Sequence, residues 1–520
     1  MTTYSQQLLD KVLALGLPPE AAAILPSDRP DLADFQNNAA FVGAKILKRA
    51  PAEIAREIAA AIDDPAVEVT TISGFVNIRI TDGALAEMLT PLSAHAPREG
   101  MVLIDYGGPN IAKPMHVGHL RSIVLGDSLA AIGRHLGHKV VTDVHYGDWG
   151  YQMGLLLAYS KATTIEQLEA DYVAASQLAK TDPDFKARAH DMTLALQAEH
   201  PDAIAAWRRF VDLSLETVER DISALGSGFD LKLGESDAGP YLQDVVNELG
   251  GQVRRSEGAL VAGDHEPPLM LRNSAGGWLY AATDLATLIM RRKMADPPET
   301  ILYVVDHRQA LHFRQVFETA RTLTSAKLEH IAFGTVNGTD GKPFKTREGG
   351  VPRLSMLLDE AVAKARERID DDGDARKVAL AAIKFADLQT KRTGGYAFDL
   401  DRALAMEGRT GPYMLYQNAR ISSICAKATV APGAIEITSA NQRSLAIGLL
   451  GFDAAVEAAW AQRQPHVLAE YLYVLSQRFS AFYATDRVAD SPSNLALAML
   501  VKDRIQTGLG LLGIETVDRM

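Results

Sequence analysis

The sequence predicts an α/β protein built on a parallel sheet, with a small α+β unit before it and an all-α bundle after it. Three observations carry this. A strand, loop, helix and strand follow one another from Met101 to Val141, and such a crossover makes its two strands parallel. A second strand and helix, Glu299 to Val305 and then Ala310 to Leu323, come far later, so the sheet is split by an insertion. After about residue 366 the apolar residues recur at helical spacing.

Composition sets the bounds. The 520 residues suggest about three domains. A hydrophobic share of 47% with 23% charged residues excludes a disordered chain, a collagen and a disulfide scaffold. Cys425 is the only cysteine, so no internal disulfide and no thiolate cluster for structural zinc is expected, and a reducing compartment is favoured. Lys and Arg number 53 against 65 Asp and Glu, a net charge of −12, so nucleic acid would have to be met by local basic patches. Asp10 and Lys11 precede any long apolar run, which argues against a signal peptide, and no segment approaches 18 uncharged apolar residues. A cytoplasmic protein without a membrane span is expected.

The elements follow in order. Residues 1–95 form the α+β unit. Leu8, Val12 and Leu15 share a helical face, Ala40 to Ile54 is helical in character, and Val67 to Ile80 alternates as strands do, with Gly74 at the bend. The Pro97–Gly100 cluster marks a boundary. Residues 96–365 carry the sheet. Val102, Leu103 and Ile104 form a strand, Gly107 to Pro114 a loop, about His116 to His135 a helix ended by Gly137, and Val140 and Val141 open the next strand. From about 155 to 271 the chain reads as a mostly helical, charged insertion. Residues 366–520 form the bundle. A helix is expected near Leu357 to Ile369, and the acidic run Asp370–Asp374 reads as a solvated loop, with a hinge as the alternative. Leu468, Leu472, Leu475, Phe479 and Phe482 make one core stripe, and Val501, Ile505, Leu509 and Leu512 another. Ser491 before Pro492 reads as a helix cap.

Three stretches could do chemistry. Asn110-Ile-Ala-Lys113-Pro-Met-His116-Val-Gly118-His119 sits where a parallel strand gives way to a helix, and free N–H groups and the helix dipole make that an anion site. His116 and His119 put two imidazoles on one side, Gly118 lets a ring or phosphate approach the backbone, and Lys113 adds a cation. The two histidines could also ligate a metal, but a third ligand and supporting carboxylates are missing nearby. Asp340 to Gly350 places Lys342, Lys345 and Arg347 between glycines, a loop suited to polyphosphate. Tyr280 and Asp284 stand at helical i,i+4 spacing, a phenol and a carboxylate on one face.

Together these stretches resemble a known family. HVGH resembles the HIGH signature of class I aminoacyl-tRNA synthetases, and KPFKT resembles a degenerate KMSKS loop. PNIAKPMHVGHLRS, GDWGYQMG, DGKPFKTREGG and EGRTGPYMLYQNARISSI, in that order, are similar to arginyl-tRNA synthetases, as are GFVNIRI near the start and LLGIETVDRM at the end. The resemblance implies a split Rossmann catalytic domain between an N-terminal tRNA-binding domain and a helical anticodon-binding domain. It implies ATP and arginine as substrates, Mg2+ on the ATP phosphates, no zinc, tRNA(Arg) as acceptor, tRNA-dependent activation and a monomer. It places His116, Gly118, His119, Gly334, Val336, Lys342 and Lys345 with ATP, and Lys113 as the lysine that compensates for the degenerate loop. It places Asp105, Asn110, His119, Tyr280, Asp284 and Gln309 with arginine, and Tyr413, Tyr416, Arg420 and Met520 with tRNA. Gly107 and Gly108 replace a usual serine and small residue, and Val144 a usual asparagine. Leu400, Arg409 and Val517 depart more peripherally, from a usual tryptophan, asparagine and proline. The rivals are a paralogue with another use, a tRNA-binding protein without catalysis, and a free-standing nucleotidylyltransferase, the last disfavoured by the helical residues after KPFKT.

Overall fold

The computed structural model describes residues 3–29, 32–338, 340–342 and 353–520. Their contacts group into two compact units. One unit comprises residues 1–92, 420–453 and 473–505, and the other 93–419, 454–472 and 506–520.

In the first unit, short strands Ile24–Pro26 and Phe35–Asn37 join Phe75–Ile80 and Val67–Ile72 in an antiparallel sheet. The last two form the expected hairpin, turned by Ser73 and Gly74, both at positive φ. The single helix expected over Ala40–Ile54 is two, Ala39–Leu47 and Pro51–Ala59. Lys48 takes a left-handed cap, and Pro51 starts the second helix, where its missing N–H costs nothing. Leu8, Val12, Ile54, Ile58, Val76 and Ile78 close the core between helices and sheet. Arg443 reaches Asp34 and Asp82, each at 2.5 Å, and the Ile80 carbonyl at 2.7 Å, which ties a late helix to the early sheet.

The second unit holds the expected parallel sheet. Its strands and neighbours are β1 (Met101–Tyr106), α1 (Val117–His135), β2 (Lys139–Asp143), α2 (Tyr280–Arg292), β3 (Thr300–Val304) and β4 (Lys327–His330). The strand order is β4-β3-β1-β2, all parallel. All six residues of β1 are buried, the mark of a central strand covered on both faces. Because β2 and β3 lie on opposite sides of β1, the order reverses between β1 and β3, and loops leaving their carboxyl ends part to leave a crevice.

Two sequence expectations change here. The insertion is helical through Tyr151–Tyr159, Ile165–Thr181, Pro183–Gln197 and Pro201–Ala224, but it ends in a three-stranded antiparallel sheet, Val253–Ser256, Ala259–Ala262 and Leu269–Arg272. Strands of four residues are too short to show a period against the charged text around them. The acidic run is largely exposed, but only its first two residues are loop. Asp371 caps the helix Asp372–Leu388 by accepting from the Asp374 N–H at 2.9 Å, and acids at a helix N-terminus meet its positive dipole end. Helices Leu354–Arg366, His466–Thr485 and Pro492–Leu511 match the late helical text, and both apolar stripes are buried. The stretch 440–461 is long and apolar enough to cross a membrane by composition, but it carries Arg443, Asp453 and Glu457, and Gly451 divides it into two helices.

Candidate active site

The loop after β1 is shaped by close backbone approaches. Gly107 has φ +75, and its N–H donates to Ser122 Oγ at 2.9 Å, whose hydroxyl donates to the Val304 carbonyl at 2.6 Å. A Cβ on Gly108 would lie 2.1 Å from the His145 carbonyl oxygen. Gly108 therefore lets the two loops pack backbone to backbone. Val144 is fully buried, its N–H bonded to the Leu231 carbonyl at 3.2 Å.

At the start of α1, His116 is the N-cap rather than a first-turn residue. Its Nδ1 accepts from the Gly118 N–H at 3.0 Å, and His119 Nδ1 accepts from the His116 N–H at 3.1 Å. With both Nδ1 atoms used as acceptors, a neutral ring carries its proton on Nε2. Both rings are neutral at pH 7. Burial, then the charges of Lys113 and Arg308, lower His116, and burial with the neighbouring His116 takes His119 down to about 3. Gly118 is needed for the cap as well as for an open backbone, since a Cβ there would meet the His116 ring at 2.7 Å.

A cavity of about 150 Å³ opens at this helix start, in the crevice between β1 and β3. His116, Gly118, Gly334 and Val336, four residues expected on the ATP side, line it. Arg121, Asp306, Arg308, Phe333 and Thr335 line it too and were not singled out by motif. Asp306 holds Arg308 through Nε at 2.9 Å and Nη2 at 2.8 Å. Burial would raise the Asp306 carboxyl, but these bonds outweigh it and hold it below its usual range. Gly334 is a glycine because the Gly394 and Gly395 backbone would lie 2.5 and 2.6 Å from a Cβ. Arg121, 1% exposed, fixes this wall, donating from Nη1 to the Gly334 and Gly394 carbonyls, both at 2.7 Å. Its Nε lies 3.3 Å from Asp387.

The lysine loop is rooted at the same place. Val336–Asn337 leads out of the cavity toward Lys342, whose N–H is held by Asp340 at 3.0 Å and whose side chain is exposed. On the far side of the loop, Arg353 pairs with His116 as antiparallel strands do, and the Leu354 N–H donates to the Met115 carbonyl at 2.9 Å. Lys345 lies outside the described residues. The Lys113 ammonium sits 4.8 Å above the Tyr172 ring rather than in the cavity wall.

A second cavity, about 280 Å³, is lined by Asn110 and Tyr280 of the expected arginine set, with Trp149, Tyr151, Glu235, Trp278 and Thr283 among the others. Asn110 packs against Gly147, where a Cβ would lie 2.1 Å from its Oδ1. Asp284 accepts from His312 Nε2 at 2.5 Å, and the His312 ring stacks near Tyr280 with centroids 4.7 Å apart. The structure does not bring every expected residue here. Asp105 and Asp143 are register partners in β1 and β2, so their side chains share a sheet face, and Arg291 of α2 enters between them at 2.5 and 2.7 Å. Asp105 is thus spent on an internal guanidinium. Gln309 ends the Asp306-capped turn His307–Gln309 in solvent, away from the cavity wall, and His119 is not in that wall either. Asp105, Asp143 and His145 are the only metal-like grouping among the described residues, and Arg291 already occupies their carboxylates.

Comparison with known proteins decides the family. Residues 84–400 match the family described as tRNA synthetases class I (R), catalytic domain. Residues 3–80 match the arginyl tRNA synthetase N terminal domain, and 414–520 the DALR anticodon binding domain. The arginine–tRNA ligase of Hyphomonas neptunium is 41% identical, with 98% of this chain and 97% of that protein covered. That of Maricaulis maris is 40% identical, with 99% of both covered.

The chain belongs to the arginyl-tRNA synthetase family.

Solved structures agree. The arginyl-tRNA synthetase of Thermus thermophilus superposes with a TM-score of 0.82 at 27% identity and 99% coverage of both chains. That of Plasmodium falciparum shares the fold, with a TM-score of 0.86 at 23% identity and full coverage of both. In this arginyl-tRNA synthetase family member, the residues expected to meet tRNA differ in setting. Tyr416 is 40% exposed and Met520 39%. Tyr413 is half-buried, and the Arg420 guanidinium lies 5.1 Å over the Tyr483 ring.

Proposed function

We propose that the chain is an arginine–tRNA ligase, which joins arginine to ATP as an adenylate and transfers the arginyl group to the 2′-hydroxyl of the terminal adenosine of tRNA(Arg). The observation that carries this reading is the placing of two cavities along one loop. His116 and Gly118 face one, and Asn110, six residues earlier, faces the other.

The chemistry asks little proton transfer of the protein. A substrate carboxylate is ionised at pH 7 and attacks the α-phosphorus without a general base, so catalysis is alignment plus stabilisation of charge on five-coordinate phosphorus. The neutral Nε2–H groups of His116 and His119 and the α1 N-terminus are the donors for that phosphate. Lys342, Lys345 and Lys113 supply positive charge toward the leaving pyrophosphate. Asn110 holds the backbone end of arginine, and Tyr280 and Asp284 meet its guanidinium. Mg2+ would neutralise phosphate charge when bound with ATP. The one carboxylate in the described wall of that cavity, Asp306, already holds Arg308, so phosphate oxygens would carry the ion. Tyr413, Tyr416, Arg420 and Met520 are the contacts for tRNA, Tyr416 and Met520 being the exposed ones. The enzyme acts as a cytoplasmic monomer and needs tRNA for activation.

The test is ATP–pyrophosphate exchange by the purified chain. Exchange that depends on arginine and rises strongly when arginine tRNA is added is expected. No exchange would favour a tRNA-binding protein, and exchange with another amino acid a paralogue with another use.

A further inference from the structure

One cation in the wall of the smaller cavity has no part in the reaction as set out above. Arg308 stands in the turn His307–Gln309, just past the carboxyl end of β3, where open α/β sheets hold their ligands. Its side chain is 74% exposed, yet it is held still. Asp306 Oδ1 accepts from the Arg308 backbone N–H at 2.8 Å and from Nε at 2.9 Å, and Oδ2 accepts from Nη2 at 2.8 Å. The turn is fastened in its own right, the His307 N–H donating to the Phe333 carbonyl at 3.0 Å. Phe333 and Gly334 line the same cavity, so the guanidinium is fixed relative to the wall beside it. An exposed ion pair adds little to stability, and confining a long side chain to one rotamer costs entropy. Such rigidity makes sense where a ligand meets the fixed group.

Which ligand part it meets follows from what is left free. Asp306 takes one edge of the guanidinium and offsets its charge at contact distance. Arg121, another cation of the wall, is spent on Asp387 and two backbone carbonyls. A phosphate gains little net charge from this side. The two faces of the guanidinium remain, and their planarity and weak hydration suit them to stacking on a flat ring. The rest of the wall agrees, with the apolar side chains of Phe333 and Val336. The carbonyls of Thr335 and Asn337 accept from the Tyr396 and Phe398 N–H groups at 3.1 and 2.9 Å. Val336, between them, turns its own N–H and carbonyl away from that partner strand, a donor beside an acceptor. That pattern fits the edge of an aminopurine. At about 150 Å³ the cavity takes part of a nucleotide rather than all of it.

We infer that Arg308 is a specificity-determining residue for the nucleotide: its guanidinium, held flat by Asp306, covers one face of the base while the phosphates run to the start of α1. The inference rests on the ATP part of the ligase reading and deepens it. Stacking makes the base, not the phosphate chain, the part that Arg308 recognises. It also asks for a plane rather than a charge.

The test compares the full-length chain as wild type, Arg308→Ala, Arg308→Lys and Arg308→Trp. ATP binding is titrated by calorimetry with magnesium present, and the Michaelis constants for ATP and for pyrophosphate are read in ATP–pyrophosphate exchange with arginine and arginine tRNA. Arg308→Ala and Arg308→Lys should each weaken ATP about tenfold in both assays, the scale of one stacked base, and leave the pyrophosphate constant unchanged. That loss should be the same at low and at high salt. Arg308→Trp, flat but uncharged, should recover part of the ATP affinity. Equal losses for ATP and pyrophosphate, or an Arg308→Lys that binds ATP as well as wild type, would show a charge contact to phosphate and overturn the proposal. Wild type that neither binds ATP nor exchanges pyrophosphate overturns the ligase reading as well, whereas wild-type activity with an indifferent Arg308→Ala overturns this inference alone.

Discussion

Replacing Arg121 by methionine tests the wall of the cavity at the start of α1. The side chain keeps an unbranched apolar stem and loses its guanidinium, so the change removes one partner of a fully buried ion pair, a loss worth about 3–5 kcal/mol. It also strips the Nη1 donor from the Gly334 and Gly394 carbonyls, both met at 2.7 Å, for about 1 kcal/mol more between them. A deficit of about 4–6 kcal/mol is expected at pH 8. Its pH dependence identifies the cause. Burial raises Asp387 to about 6 even with Arg121 beside it, and without that guanidinium it rises further. The unfolded carboxyl ionises near 4. Between those two values the native state binds more protons than the unfolded one, so stability falls as pH rises through that window, and Arg121→Met should be least damaging near pH 5. Urea unfolding of wild type, Arg121→Met, Asp387→Asn and the double variant at pH 5.5 and 8 measures this. A deficit below about 1 kcal/mol, an equal deficit at both pH values, or a double variant no more stable than Arg121→Met would refute the reasoning.

Two further substitutions probe the glycines of the site. Gly118→Ala puts a methyl 2.7 Å from the His116 ring, which must swing away from its cap, so ATP affinity should drop roughly tenfold in equilibrium binding while the arginine constant stays put. Gly108→Ala meets the His145 backbone carbonyl at 2.1 Å, a clash no rotamer relieves, and its melting temperature should fall by several degrees at least.

What the sequence made legible was local. The β1–α1–β2 crossover, the hairpin at Gly74 and the late apolar stripes each follow from a period or a turn within one stretch. The two cationic and histidine motifs were legible as chemistry, and the pairing of Arg353 with His116 shows that their roots meet. Three kinds of feature were hidden. Arg121 and Asp387 are charges 266 positions apart, and nothing in either stretch signals that both are buried. Asp105 was assigned to arginine by resemblance, but its register partner Asp143 and the incoming Arg291 exist only once the sheet is formed. Glu235 lies in the loop-rich text after the insertion helices, where no spacing rule applies. Gly118 looked like room for ligand, and Gly108 and Gly334 carried no packing signal. Each is set by a neighbouring backbone or ring that comes too close for a methyl group.

The capping geometry of the two histidines bears on ionic strength. Nitrogens that must stay unprotonated to hold the first turn leave the α1 entrance with donors but no formal charge. Salt that screens the lysines will weaken the leaving-group side of the nucleotide and hardly touch this one. On the proposed reading, the phosphate that remains with the acyl group would be gripped here by bonds water can replace one for one, and so would depart without first breaking an ion pair to these rings.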